Sequence, residues 1–268
     1  MKPAVIANQE NIASVSKPSS VNIKHKLEYL QNFPQKIKRS HQSVIRVKKL
    51  IKNFKVERKT IPVLKKISTS IYYKEFVIIH GPSGCGKSTL LHSILGLEHP
   101  TKGAVYIKGK NIYKMQQNSR AIFRHKTIGT VFQQSNWIKS LNVIENVSYP
   151  LFLSGISKKD AFEVAYLNLQ KVGLQHLSYS KPVELSGGEQ QRVSLARSLV
   201  LDPKIIIADE PTGNLDSASG TKVMEILTRL NREENKVIVM VTHDTSFLPL
   251  ANRVIGMLDG KIVFDNYD

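Results

Sequence analysis

The sequence has one cysteine, Cys85, one tryptophan, Trp137, and few acids, with 21 Asp and Glu against 39 Lys and Arg in 268 residues. A single thiol closes no internal disulfide, so a reducing compartment is the expectation. No uninterrupted apolar run approaches the roughly 18 to 20 residues that cross a bilayer, and residues 1–10 lack the apolar stretch of a secretory signal, so a cytoplasmic protein is expected. The length suits one large domain or two small ones.

The shortage of acid is uneven. Residues 1–59 carry 14 Lys and Arg against Glu10, Glu28 and Glu57, which puts +11 of the net +18 there. Such a run reads either as a solvated tail or as a contact for anionic lipid head groups or an acidic partner, each basic residue beside a membrane contributing about 1 kcal/mol. Residues 1–42 mix Ser, Asn, Lys and Pro without regular apolar spacing. They predict a basic, mobile extension, with a short helix within 21–37 that Pro34 limits.

Against these shortages stands one dense motif. His80-Gly81-Pro82-Ser83-Gly84-Cys85-Gly86-Lys87-Ser88-Thr89 follows the pattern G-x-x-x-x-G-K-[ST], after an apolar run at 76–79 and before a helical pattern of Leu90, Leu91, Ile94 and Leu95. In such a strand, loop and helix the glycines let backbone N–H groups of residues 81–89 close around a phosphate, beside the positive end of the helix. The predicted ligands are ATP and Mg²⁺, with Lys87 reaching the β- and γ-phosphates and Ser88 coordinating the ion. The same N–H groups predict a lowered pKa for Cys85, so that its alkylation would block nucleotide binding. The motif occurs once, which predicts one ATPase unit per chain.

Two further stretches bear on chemistry. Residues 205–208 form an apolar strand ending in Asp209-Glu210. An Asp-Glu pair alone is a solvated turn; behind such a strand, and beside Lys87 and Ser88, Asp209 reads as a holder of the Mg²⁺ shell and Glu210 as the group that polarises the attacking water. Leu185-Ser186-Gly187-Gly188-Glu189-Gln190 opens a helical pattern through Val193, Ala196, Leu199 and Val200. Ser-Gly-Gly there reads either as an ordinary cap or as a second anion site. Segments 44–47, 63–67 and 104–107 predict antiparallel strands, 205–208 and 237–241 buried parallel ones, and their alternation with helices an α/β fold. Asn142 and Ser157 each begin a capping-box pattern, the second opening a helix that stops at Gly173.

These motifs together resemble the ATP-binding cassette proteins. Residues 185–190 match the family's signature sequence, Gln133 its Q-loop glutamine, His243 its switch histidine, and Gly213-Asn214-Leu215-Asp216 its D-loop. Phe54 lies where the family has an adenine-stacking aromatic, and reads equally as a core residue. The resemblance spans residues 43–268. It implies a P-loop cassette with a RecA-like parallel sheet core, an N-terminal antiparallel β subdomain and a helical subdomain at about 135–183. It implies that Glu210, His243, Lys87 and Gln133 are catalytic, and that Gln133 touches Mg²⁺ with Ser88 and Asp209. It further implies a head-to-tail homodimer in which Ser186, Gly187 and Gly188 complete the partner's ATP site, and an integral membrane permease contacting residues 133–149. Finer details are similar to the group of lipoprotein-releasing, macrolide-exporting and cell-division cassettes. The alternative is a soluble cassette acting on ribosomes or nucleic acid, against which stand one compact unit and no coiled-coil or zinc insertion.

Overall fold

The computed structural model describes residues 42–57 and 59–266. The expectations placed on residues 1–41, a basic extension with a short helix, lie outside these. Alternation at the start of the described chain produces two long strands, β1 (Ser43–Val56) and β2 (Lys59–Tyr72), paired antiparallel. Val44, Ile45, Val47, Leu50, Leu64, Ile67 and Ile71 point to the core while Arg46, Lys48 and Lys65 face water. With β4 (Lys102–Ile107) and β5 (Lys110–Asn111) they form a four-stranded sheet in the order β2-β1-β4-β5.

The second sheet is built from apolar runs buried on both faces. Its order is β10-β9-β3-β8-β7-β6, with β3 (Phe76–His80), β6 (Ile128–Val131), β7 (Ile205–Asp209), β8 (Val237–Thr242), β9 (Arg253–Leu258) and β10 (Lys261–Asp265). Pairing from β6 through β9 is parallel, and only β10 runs the other way. Every residue of β7 and β8 is buried, as expected for parallel strands covered on both sides. The two sheets share one core, and the Lys65 N–H donates to the Gly260 carbonyl at 2.8 Å between them.

Helices complete the layers: α1 (Lys87–Ile94), α2 (Gln117–Thr127), α3 (Val143–Leu153), α4 (Lys158–Lys171), α5 (Gly187–Leu199) and α6 (Ser217–Arg232). α3 starts with the predicted box, Asn142 Oδ1 accepting from the Glu145 N–H and Glu145 Oε2 from the Asn142 N–H, both at 2.9 Å. At α4 only half of the pattern forms, because the Asp160 carboxylate accepts from the Ser157 hydroxyl instead of its N–H. α5 packs on α3 and α4 and also on β6 and α6, so it joins the helical layer to the sheet.

The connection into α3 hangs on one buried amide. Asn146 Nδ2 donates to the carbonyls of Ile138, Leu141 and Asn142 at 3.1, 3.2 and 2.9 Å, and its Oδ1 accepts from the Ile138 N–H at 3.0 Å. Asn146→Ala takes the partner from the part-buried Ile138 N–H and Leu141 carbonyl, while the Ile138 and Asn142 carbonyls keep the backbone N–H groups of Leu141 and Asn146, and each buried polar group left unpaired costs about 1–3 kcal/mol. The variant is therefore expected to unfold at clearly lower urea concentration with an unchanged m-value, which an equilibrium melt followed by circular dichroism checks.

Candidate functional site

β3 delivers the chain to His80, and the loop turns at once into α1. Gly81 passes so close to the Met257 carbonyl of β9 that a Cβ has no room. Gly86, which caps α1, has φ 101°, a left-handed backbone open to glycine at no steric cost. Lys87 Nζ donates to the Gly81 and Pro82 carbonyls at 2.9 and 3.1 Å, so the ammonium lies inside the curl of its own loop. Above it opens a cleft of about 540 Å³, lined by Ser83, Gly84, Gly86, Lys87, Ser88 and Thr89, by Val63 of β2, and by Gln133, Glu210 and His243. Segments far apart in sequence thus meet where the motifs require them.

The carboxylates arrive on β7. Asp209, its last residue, is buried and accepts from the Ser88 hydroxyl at Oδ1, 2.9 Å. Glu210 then leaves the strand with φ 47°, a conformation that costs a residue with a side chain about 1–3 kcal/mol. Its N–H donates to the Val241 carbonyl at 3.1 Å, which holds the turn against β8. The turn aims the side chain into the cleft, where Glu210 Oε2 lies 2.8 Å from His243 Nδ1. Gln133, just past β6, donates from Nε2 to Asn214 Oδ1 at 3.2 Å and so ties two predicted loops together.

Other predicted residues stand outside the lining. Gly81, Pro82 and Cys85 belong to the loop without lining the cleft, and Asp209 reaches it through Ser88. Ser186 caps α5 in a full box: its Oγ accepts from the Glu189 N–H at 3.3 Å, and its N–H and hydroxyl donate to Glu189 Oε2 at 2.9 and 2.7 Å. Gly187 and Gly188 form the first turn, whose N–H groups have no intrahelical acceptor. Phe54 lies near the end of β1 with Lys52 Nζ 4.6 Å from its ring centroid, away from the lining.

One expectation is corrected. The Cys85 thiol is buried, and burial pushes its pKa up more strongly than Lys87 and neighbouring N–H groups pull it down. The thiolate loses its hydration inside the loop, and the neighbouring N–H groups and Lys87 do not make up for it.

Two sets of contacts escaped motif reasoning. His92, one turn after Ser88 on α1, places Nε2 3.1 Å from Asp209 Oδ2; the i, i+4 spacing from Ser88 is its only sequence signal. A cluster also latches α5 to the segment after Gln133. Trp137 Nε1 donates to Gln190 Oε1 at 3.1 Å, Gln191 Nε2 to the Phe132 carbonyl at 3.0 Å, and the Arg197 guanidinium to the carbonyls of Ser135 and Asn136 while covering the Trp137 ring.

Comparison with known proteins finds relatives over most of the chain. The sequence pattern described as ABC transporter matches residues 64–213. An uncharacterized ABC transporter ATP-binding protein of Methanocaldococcus jannaschii is 50% identical over 209 residues, 78% of this chain and 92% of that protein. The lipoprotein-releasing system ATP-binding protein LolD of Syntrophus aciditrophicus is 41% identical over 220 residues, 82% of this chain and 99% of that one. The macrolide export ATP-binding/permease protein MacB of Chlorobium luteolum is 43% identical across 80% of this chain but only 32% of its own length. Among solved structures, a dimeric bacterial ABC transporter cassette, MJ0796, superposes with a TM-score of 0.78 at 40% identity, covering 82% of this chain and 97% of that one.

Cys85 and Trp137, each single in the sequence, give direct readouts. Alkylation of Cys85 is expected to be slow in the folded protein near pH 8 and rapid in urea; equal rates would contradict the buried placement. Arg197→Met removes the guanidinium from the Trp137 ring and from two carbonyls, so tryptophan emission is expected to shift to the red and to become more accessible to iodide.

Proposed function

The chain belongs to the ABC transporter family of ATP-binding proteins, and on that premise we propose that it is the ATP-hydrolysing subunit of an export or lipoprotein-extruding transporter, acting as a homodimer with an integral permease on the cytoplasmic face of the membrane. The observation that carries the catalytic reading is the 2.8 Å contact between His243 Nδ1 and Glu210 Oε2 in a cleft whose other wall is Lys87 and Ser88.

In hydrolysis a water oxygen bonds to the γ-phosphorus while the bond from that phosphorus to the β–γ bridging oxygen breaks, giving ADP and phosphate. In this reading Glu210 accepts a hydrogen bond from the water and orients it, and His243 fixes the carboxylate. Lys87 exchanges its loop carbonyls for the β- and γ-phosphate oxygens, and the N–H groups of Gly81, Ser83, Gly84, Cys85, Gly86, Ser88 and Thr89 cradle the same anion, with Pro82 fixing the turn between them. Ser88, Asp209 and Gln133 would hold Mg²⁺. They present hydroxyl, carboxylate and amide oxygens, the hard donors this ion takes, with the first two already 2.9 Å apart. When bound, the ion supplies charge neutralisation on the phosphate oxygens. Phe54, on the strand paired with the one that brings Val63 to the rim, is the candidate to stack on adenine.

Ser186, Gly187 and Gly188 stand off the cleft of their own chain. A head-to-tail pair would bring their first-turn N–H groups onto the γ-phosphate held by the partner copy, in line with the dimeric state of the related cassette. Loss of that phosphate then removes the contacts that favour the closed pair. For the permease, a groove of about 380 Å³ between α3 and α4 is lined by Leu141, Glu145, Tyr149, Phe152, Lys158 and Phe162. Its apolar floor with one charge of each sign suits the amphipathic face of a permease helix. The MacB relative supports this choice of occupant, being by name an ATP-binding and permease protein of which this chain matches only 32%. No helix among the described residues is long and apolar enough to cross a membrane, so membrane attachment in this reading runs through the permease.

Glu210→Gln is expected to lower ATP turnover by about 10²–10⁴-fold, the range for removing a group that handles the water's proton, and to run as an ATP-dependent dimer on gel filtration. Turnover equal to the parent would remove Glu210 from the chemistry. Tyr149→Glu is expected to leave ATP binding intact while abolishing co-purification with the co-expressed permease; retained co-purification would move the docking site elsewhere.

A further inference from the structure

We propose that His92 is a positioning residue that locks the Asp209 carboxylate in the orientation needed to receive hydrated Mg²⁺. The inference rests on the reading of the cleft as a Mg²⁺-ATP site, and concerns a residue outside the motifs that define that site.

Asp209 ends β7 almost completely buried, and each of its carboxylate oxygens has a different partner on α1. Oδ1 accepts from the Ser88 hydroxyl at 2.9 Å, and Oδ2 lies 3.1 Å from His92 Nε2. Ser88 and His92 are four residues apart, so one face of the helix presents two side chains to one carboxylate. Rotation of the carboxylate about its Cβ–Cγ bond breaks both contacts together. With the Nε2 hydrogen present, the imidazole donates to Oδ2 and leaves Oδ1 directed at Ser88. The ring is steadied from the other side by Phe132, edge-on with centroids 6.4 Å apart, and Phe132 immediately precedes Gln133. His92 therefore joins three elements that carry the predicted ligands: the helix after the phosphate loop, the end of β7 and the start of the glutamine segment.

The physical consequence is preorganisation. Asp209 is predicted to act on the water shell of the ion, so its angular placement matters more than that of a ligand in direct contact. A hydrogen bond to the second oxygen of a metal-handling carboxylate fixes that placement and raises no competition for the ion, because His92 is itself engaged on Asp209. Loss of such an outer partner typically costs about 10–100-fold in metal affinity or activity.

The test is a Mg²⁺ titration of the full-length protein with a fluorescent, non-hydrolysable ATP analogue, scored by the Mg²⁺ concentration at half-maximal binding, with magnesium-free binding as the reference. His92→Leu is expected to raise that midpoint at least about 10-fold and to leave magnesium-free binding unchanged. His92→Gln, whose amide can donate to Oδ2, is expected to restore most of the loss. If His92→Leu does not fold, His92→Gln and His92→Glu decide the matter: the first keeps a donor, the second sets an acceptor against Asp209 and is expected to raise the midpoint. Equal midpoints for parent, His92→Leu and His92→Glu would overturn the inference, as would a His92→Gln protein as defective as His92→Leu. A parent protein that binds no Mg²⁺-nucleotide would instead overturn the reading of the cleft.

Discussion

The parallel ladder of β3, β8 and β7 is the constraint on which the rest of the site depends. His80 pairs with Thr242 and Asp209 with Val241, so three strands reach the same edge of the sheet within one residue of each other. The segments that leave these strands are therefore set side by side: the phosphate loop after β3, Glu210 after β7, His243 after β8. A slip of one residue would send Asp209 to the opposite face and separate it from Ser88. The buried apolar runs that form these strands thus position polar groups they never touch. Their complete burial makes that edge stiff enough to hold Glu210 in a left-handed backbone.

Much of this is readable in the chain alone, because the informative features are local. Gly86 needs a positive φ, Lys87 and Ser88 must follow it directly, and the carboxylates must end an apolar run; neighbours in sequence express each requirement. The two sheets are legible for a similar reason, alternation at 43–47 and unbroken burial at 205–208 being different periodicities of the same residue types. Contacts that depend on how distant segments meet are not legible. His92 on Asp209, Gln133 on Asn214 and Arg197 around Trp137 join positions 117, 81 and 60 residues apart in sequence, and beyond the i, i+4 offset of His92 from Ser88 no spacing announces them. Cys85 fails for another reason. Its N–H neighbours are readable, but the burial of its sulfur against Gly81 is a packing fact, and desolvation of the thiolate outweighs what those N–H groups and Lys87 return.

The latch between α5 and residues 132–137 gives the helical layer a mechanical meaning. α5 begins with Ser186, Gly187 and Gly188 and ends beside β6, and three of its side chains grip the segment that starts one residue before Gln133. Gln133 in turn holds Asn214, four residues past Glu210. A displacement of Gln133 toward or away from the cleft is therefore shared with the start of α5 on one side and with the 213–216 loop on the other. These contacts are hydrogen bonds in part-buried to exposed surroundings, strong enough to move as a unit and weak enough to exchange partners.

The same reasoning separates rigid from adjustable parts. Ser88, His92 and Asp209 grip one another across a buried strand end, whereas Gln133, Glu210 and His243 each rely on one polar side-chain contact at the rim. In the proposed function, a site that holds an ion through repeated cycles and also releases a cleaved phosphate is served by this division. Asp209 is joined to α1 through both carboxylate oxygens, so a shift of the inner set breaks two contacts at once; Gln133 and His243 lie exposed and trade a protein contact for water at little net cost. In the proposed function, movement coupled to the nucleotide would be taken up by the rim set of Gln133, Glu210 and His243 and, through Gln133, by α5, while Ser88 and Asp209 stay fixed to the sheet.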